Sequence, residues 1–167
     1  MDFLDFAKEI ETRGREQYSV LARTMQIREL SGIFEFMAEQ EQRHYELFDY
    51  WQRNNSEVSA SNLPAETVIG QAKSAFERIA GHFSERNFVP PIDYEQAYKQ
   101  ALEFENRSIA LYEEALPKIM DDRRKKPLKS IIEQEHAHAR FITSLMDFLR
   151  HPGEWLENAE WDHLDEY

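Results

Sequence analysis

Residues 133–139 read Glu-Gln-Glu-His-Ala-His-Ala, and they interrupt an apolar pattern that is typical of a buried helix. The pattern recurs every three or four residues, which places its members on one inward face: Ile131, Glu135, His138, Ile142, Leu145 and Leu149. Two of these core positions, Glu135 and His138, are polar and lie one turn apart. Because a buried carboxylate needs a partner, the pair indicates either a metal site or a buried hydrogen-bonded couple.

The same arrangement occurs 94 residues earlier (135 − 41 = 138 − 44 = 94), where Glu41 and His44 interrupt a second apolar seam as Glu-x-x-His. A shift of 94 residues also aligns two further helical seams, in which Glu11 and Glu105 are single core carboxylates. Each precedes its Glu-x-x-His by 30 residues (41 − 11 = 135 − 105 = 30). We interpret the chain as an internal duplication, in which each half supplies one Glu and one Glu-x-x-His.

Length and composition bound the class of protein. A chain of 167 residues predicts one domain with a sizeable core. The absence of cysteine excludes disulfides, zinc-thiolate sites, iron-sulfur clusters and rubredoxin-type iron centres within this sequence. The net charge of −12 argues against nucleic acid as a partner. No apolar run reaches membrane-spanning length, and the N-terminus carries acids where a signal peptide carries bases. We therefore expect a cytoplasmic protein without a membrane partner.

Apolar periodicity predicts four long helices, at about residues 3–25, 29 or 31 to 53, 93–117, and from 123–127 to 150. They form two hairpin repeats, residues 1–53 and 93–150, with turns expected near residues 26 and 120. A capping box, Asp93 with Gln96, is predicted to begin the third helix. The crossover, residues 54–92, contains a shorter amphipathic helix with the stripe Val68, Ala72, Phe76, Ile79 and Phe83. The predicted fold class is all-α: one domain, residues 1–167, built as a four-helix bundle with one long crossover.

Two features lie outside the repeats. The tail, residues 151–167, carries Trp155, Leu156, Trp161 and Leu164 among acids. We predict a short helix that packs these side chains on the bundle or on a second subunit, and we expect a homodimer. The basic run 123–126 is interpreted as a solvated loop, with docking of an acidic redox partner as the alternative.

The bundle would bring six polar core residues to one level: Glu11, Glu41, His44, Glu105, Glu135 and His138. Four carboxylates at close range oppose one another's ionisation, and two divalent cations would neutralise them. Two glutamates could then bridge the ions while the others bind one ion each, and each histidine would cap one ion. Carboxylate and imidazole ligands with open positions suit iron or manganese. We predict two iron ions per chain, with manganese as the alternative.

These motifs resemble those of the rubrerythrin family, in the ferritin-like superfamily, across residues 3–53 and 93–150. The resemblance implies a ferritin-like bundle with a di-iron site that reduces peroxide or oxygen, and sometimes ferroxidase activity. Two departures matter. Rubrerythrins usually add a rubredoxin domain, whereas this sequence lacks cysteine, so a separate donor protein would supply electrons. Peroxidase-type relatives also carry an extra carboxylate one turn after the lone Glu of the second half, where this chain has Ser108.

Ser108 and its repeat mate Gly14 are small residues one turn beyond a candidate ligand, facing inward. We hypothesise that they leave a pocket for oxygen or peroxide beside the metals. Close packing between helices is the alternative reading, because small residues permit that as well.

Tyr18 and Tyr112 are the candidate catalytic residues outside the ligand set, two turns from Glu11 and Glu105 on the same face. A buried hydroxyl needs a partner, so each is predicted to bond a ligand carboxylate or water, or to transfer electrons. The alternative is a core tyrosine bonded to backbone. His136 competes with His138 as a ligand, but it lies off the apolar seam and is predicted to be a surface residue.

Three functions remain compatible with these observations. The preferred one is a di-iron (or di-manganese) carboxylate oxidoreductase that reduces peroxide or oxygen with electrons from a separate donor. The alternatives are a ferroxidase-like iron-handling protein and a non-catalytic metal-binding bundle. The sequence does not separate the first two.

Overall fold

The structure is a computed structural model that describes residues 2–54, 68–83, 90 and 93–157. Within these residues the regular structure is entirely helical. The six α-helices are α1 (Phe3–Thr24), α2 (Arg28–Arg53), α3 (Val68–His82), α4 (Tyr94–Ala115), α5 (Asp122–Arg150) and α6 (Pro152–Glu157), with a 3-10 turn at Leu116–Lys118. The predicted all-α class is confirmed.

The four long helices form two hairpins. Helix α1 packs along α2, and α4 packs along α5. The two turns lie at residues 25–27 and 119–121, where the sequence placed them. Ser31 closes the first turn, since its hydroxyl donates to the carbonyl of Ala22 at 2.7 Å. Helix α3 of the crossover lies against α2 and α5.

Two helix starts differ from prediction. Asp93 has a left-handed backbone (φ 63°), and its side chain makes no capping bond, so the predicted capping box with Gln96 is wrong. A capping side chain reaches the helix amides from an extended backbone, which Asp93 does not have. Helix α5 begins at Asp122, earlier than predicted, because the Asp121 carboxylate accepts a bond from the Arg123 amide at 3.0 Å. Pro127 therefore lies inside the helix.

The basic run at residues 123–126 lies within the first turns of α5 and not in a loop. Arg123 pairs with Asp121 at 3.0 Å, and Lys125 pairs with Asp122 at 3.4 Å. Neighbouring acids therefore form ion pairs with Arg123 and Lys125 of this run.

Two apolar clusters divide the core along the bundle axis. The larger cluster is formed by residues of α3, the C-terminal parts of α1 and α5, and the N-terminal parts of α2 and α4. It includes Phe34, Phe76 and Phe141. The smaller takes the opposite ends of the four long helices and includes Phe48 and Trp51. On α1, α2 and α4 the polar core residues fall between the members of the two clusters, and on α5 Glu135 does so while His138 follows Ala137 of the larger cluster. The polar level is therefore closed off from solvent at both ends.

The amphipathic crossover helix and the start of the tail pack onto the larger cluster. Val68, Ala72, Phe76 and Ile79 are buried, as the predicted stripe requires. Trp155 of α6 is also buried, with its ring centroid 5.8 Å from that of Phe76. The described part of the tail thus packs on the bundle, whereas Trp161 and Leu164 lie outside the described residues. None of the described helices combines the length and apolarity that membrane crossing requires.

Candidate metal centre

The six predicted ligands come together at the middle level of the bundle. Glu11 lies on α1, Glu41 and His44 on α2, Glu105 on α4, and Glu135 and His138 on α5. None of them exposes more than 1% of its surface. Amphipathic packing explains the convergence, because each occupies a core position of its helix at the same height.

Their ligand atoms form two overlapping groups, each with all atoms within 4.8 Å of one another. One group contains Glu11, Glu41, His44 and Glu135, and the other contains Glu41, Glu105, Glu135 and His138. Glu41 and Glu135 belong to both. Each group therefore has one histidine and one glutamate of its own, and the two shared carboxylates lie between them.

The Nδ1 atoms of both histidines face the carboxylates. His44 Nδ1 lies 2.9 Å from Glu135 Oε1 and 3.2 Å from Glu11 Oε2. His138 Nδ1 lies 3.1 Å from Glu41 Oε1 and 3.2 Å from Glu135 Oε2. The two oxygens of Glu135 thus lie next to different histidines, so this carboxylate contacts both ligand groups.

Burial and mutual repulsion control the protonation of this cluster. Burial, with the charge of Glu41, raises the pKa of Glu11 well above its usual range, and burial with the charge of Glu135 does the same for Glu105. Burial alone would lower the pKa of His44 and His138, but the carboxylates around them raise both pKa values well above normal. For Glu135, burial favours the neutral form, yet the two histidines outweigh it and hold the pKa below its usual range.

Several buried atoms of the cluster lie close to a histidine or carboxylate of the cluster but make no well-directed hydrogen bond. They are Glu41 Oε1, both carboxylate oxygens of Glu105, Glu135 Oε1 and His138 Nδ1. Unpaired polar groups in a protein core are costly, so a cluster of them needs an explanation. Carboxylate oxygens and imidazole nitrogens are ligands that divalent transition metals accept. The donor set therefore fits a pair of such ions.

The two predicted tyrosines differ in their contacts. The hydroxyl of Tyr112 donates to Glu11, so Tyr112 contacts the cluster as predicted. The hydroxyl of Tyr18 has no partner among the described residues, although its ring packs edge-on against His138 at 5.7 Å. The internal repeat would pair Tyr18 with Glu105, whose carboxylate oxygens likewise make no hydrogen bond, although Oε1 lies 3.6 Å from His138 Nδ1.

The two small residues beside the cluster are in close contact with neighbours. A Cβ added at Gly14 would lie 2.9 Å from Glu41 Oε2 and 3.1 Å from a ring carbon of Phe104. Ser108 is buried, and its hydroxyl donates to the carbonyl of Phe104 at 3.1 Å. Gly14 therefore makes room for the Glu41 carboxylate, and a pocket for oxygen or peroxide stays a prediction.

His136 lies at the surface, as predicted. Its side chain is 47% exposed and its Nε2 lies 3.2 Å from Glu113, outside both ligand groups. Only His138 of the two competing histidines reaches the cluster.

Sequence reasoning missed two glutamines, Gln40 and Gln134. Each precedes a shared glutamate, and the 94-residue shift relates them to each other (134 − 40 = 94). Their oxygens contact the outer nitrogens of the two histidines, at 2.8 Å for His138 and 2.9 Å for His44. The repeat contained the signal, because a glutamine precedes the shared glutamate in both halves.

A four-helix bundle whose core holds two Glu-x-x-His pairs and two further glutamates defines the class of ferritin-like carboxylate proteins. The sequence model of the family described as Rubrerythrin matches residues 2–146, which covers the first hairpin, α3 and all but the last four residues of the second hairpin. The chain belongs to the rubrerythrin family, and the predicted resemblance is confirmed. Comparison with curated proteins and with solved structures found no match.

Proposed function

We propose that this protein is a di-iron carboxylate oxidoreductase that reduces peroxide or oxygen with electrons from a separate donor protein. The observation that carries the proposal is the pair of overlapping ligand groups that share Glu41 and Glu135. Manganese is the alternative metal, because the donor atoms suit both.

The residues divide naturally between two ions. Glu11 and His44 would hold one, Glu105 and His138 the other, and Glu41 and Glu135 would bridge both. Iron bound by these residues would contribute the electrons needed to reduce an oxygen–oxygen bond. Because only six side chains would serve two ions, the substrate would find room to bind beside them.

The surrounding residues keep water out and hold protons. The two apolar clusters cover the site at both ends of the bundle. Burial, with the nearby charge of Glu11, raises the pKa of Tyr112 well above its usual range. Its hydroxyl therefore stays protonated and keeps donating to Glu11. Tyr112 would in this way fix one terminal carboxylate beside the metals.

The electron donor must lie outside this sequence. Iron-sulfur and rubredoxin-type centres are held by cysteine, and none of the 167 residues is cysteine. A partner redox protein would supply electrons through the surface of the bundle. A homodimer remains part of the proposal, and light scattering of the purified protein measures it.

A ferroxidase-like iron-handling role is the second candidate, and Ser108 favours it. Peroxidase-type relatives carry an extra carboxylate at this position, whereas the Ser108 hydroxyl is bonded to the carbonyl of Phe104. A site without that carboxylate would discriminate less between peroxide and oxygen.

Stopped-flow absorbance of the iron-loaded, reduced protein tests the proposal. The protein is mixed anaerobically with hydrogen peroxide and, separately, with oxygen, after iron content has been measured. We expect two iron ions per chain and rapid oxidation by peroxide. A site with two irons that is inert to both oxidants would favour the non-catalytic bundle. Oxidation by oxygen alone, followed by iron release, would favour iron handling.

A further inference from the structure

The outer nitrogens of the two histidines meet a pair of glutamine side chains. His44 Nε2 lies 2.9 Å from Gln134 Oε1, and His138 Nε2 lies 2.8 Å from Gln40 Oε1. The glutamines also contact each other, since Gln40 Nε2 donates to Gln134 Oε1 at 3.1 Å. One continuous set of bonds therefore joins both histidines.

The set crosses between the two hairpins. His44 and Gln40 lie on α2, whereas His138 and Gln134 lie on α5, and each histidine contacts the glutamine of the other helix. Each half of the duplication supplies one histidine and one glutamine at matching positions. Gln40 is 1% exposed, so its amide is committed to these contacts and not to water.

These bonds require that the outer ring nitrogen of each histidine carries a proton. A ring nitrogen facing an amide oxygen must be an N–H donor, so Nε2 is protonated in both histidines. Nδ1, which faces the carboxylates, is then the nitrogen that offers its lone pair when a metal replaces its proton. The amide oxygens thus hold both imidazoles in the form and orientation that bind metal.

The contact between the glutamines ties their orientations together. Turning only the Gln40 amide would place its NH₂ against His138 Nε2–H and its oxygen against the Gln134 oxygen. Turning only the Gln134 amide would place two NH₂ groups face to face. Either change sets like groups together and loses hydrogen bonds, so the two amides keep a common orientation.

We propose that Gln40 and Gln134 are positioning residues that form a carboxamide bridge, hold both histidines with Nδ1 toward the metals, and couple the two metal positions. This inference rests on the metal centre of the proposed function. Hydrogen bonds to the distal nitrogen of a ligating histidine fix its orientation and strengthen metal binding. Here one bridge serves both ions.

The test replaces each glutamine by methionine, which keeps the length of the side chain but removes the hydrogen bonds. The variants are Gln40→Met and Gln134→Met. Gln42→Met, on the same helix as Gln40, is the matched control. Gln42 contacts Arg15 and Glu46 and lies outside both ligand groups. Gln134→Glu is the rescue variant, because a carboxylate oxygen can still accept from His44 and Gln40.

Zn²⁺ is the probe, since it is diamagnetic and its binding needs no turnover. Its affinity is measured by competition with a chelator, and nitrogen-15 NMR of the zinc-loaded protein detects the histidine Nε2–H groups. We expect two ring N–H signals protected from exchange in the wild type. Each methionine variant should disturb both signals, more strongly at the directly bonded histidine, and lower zinc affinity about 10- to 100-fold. Gln134→Glu should restore both properties, and Gln42→Met should match the wild type.

Two different failures are distinguishable. If the wild type takes up no zinc, the metal centre itself is wrong and the bridge falls with it. If the wild type binds two zinc ions and the methionine variants keep its affinity and both protected signals, the bridge alone is wrong. Loss of affinity that Gln134→Glu fails to restore would also overturn it, because packing would then be the cause.

Discussion

At the scale of single residues, two histidines of α5 have similar sequence contexts but different surroundings in the structure. His138 and His136 lie two positions apart, and both follow a glutamate in a Glu-x-x-His pattern. His138 is fully buried among carboxylates, whereas the side chain of His136 is 47% exposed. Only the first can contribute to a buried metal site.

We therefore expect His138→Ala to reduce the metal content from two ions per chain to one, or to weaken one ion strongly. His136→Ala should keep both ions, because it removes only a surface contact with Glu113. Elemental analysis after loading with Fe²⁺ and desalting measures the difference. The reverse pattern would show that the ligand assignment on α5 is wrong.

Tyr112 and Tyr18 form a second matched pair. Tyr112→Phe should destabilise the metal-free protein by about 1 kcal/mol, because Glu11 loses a hydrogen-bond donor. Tyr18→Phe should cost less, since its hydroxyl has no partner among the described residues. Urea unfolding of the two variants compares them directly. Equal losses would mean that the Tyr112 bond to Glu11 does not contribute.

At the scale of the helices, two glycines differ in whether the surrounding structure leaves room for a side chain. Gly14 in α1 faces the Glu41 carboxylate, whereas an added Cβ at Gly32 in α2 would meet nothing within 4 Å. Gly14→Ala forces Glu41 or Phe104 to move and should cost about 1–3 kcal/mol, with weaker metal binding. Gly32→Ala should stabilise by up to about 1 kcal/mol through helix propensity. Thermal unfolding and zinc titration of both variants measure these effects, and a harmless Gly14→Ala would contradict the close approach.

Periodicity predicted the helices well because burial imposes it on every bundle helix. The seam through Glu135 and His138 located α5, and its repeat located α2. Helix starts were less predictable, since a cap depends on the backbone of the incoming chain. Asp93 has the right residue type for a cap, but its left-handed backbone prevents the bond, whereas Asp121 makes one.

The candidate metal ligands were predictable because charged residues at core positions of a helix are easy to recognise in a sequence. A glutamate on an apolar seam stands out, and the six candidate ligands were found in this way. Gln40 and Gln134 did not stand out, because neutral amides at the edge of a seam resemble surface residues. Only the bonds across the bundle reveal their contact with the histidines.

At the scale of the whole molecule, folding and metal binding are linked through the same buried charges. In the metal-free protein the pKa values of Glu11 and Glu105 are raised above 4.5, and those of His44 and His138 above 6.5. The folded state then binds more protons than the unfolded state, so its stability falls as pH rises above 4.5 through the raised values. The pKa of Glu135 is lowered, so its contribution to stability depends on pH in the opposite direction, but that contribution changes only below pH 4.5.

Metal binding gives the opposite dependence of stability on pH. Ligation requires ionised carboxylates and neutral imidazoles, so binding releases the protons that these groups hold, and affinity rises with pH. Each proton released changes the stabilisation by about 1.4 kcal/mol per pH unit. The increase in melting temperature on adding Mn²⁺ should therefore be larger at pH 8 than at pH 5.5. Calorimetric scans with and without the ion at both pH values measure it, with His136→Ala as a control that should follow the wild type. An equal increase in melting temperature at both pH values would show that metal binding does not displace protons from the carboxylates and imidazoles of the cluster.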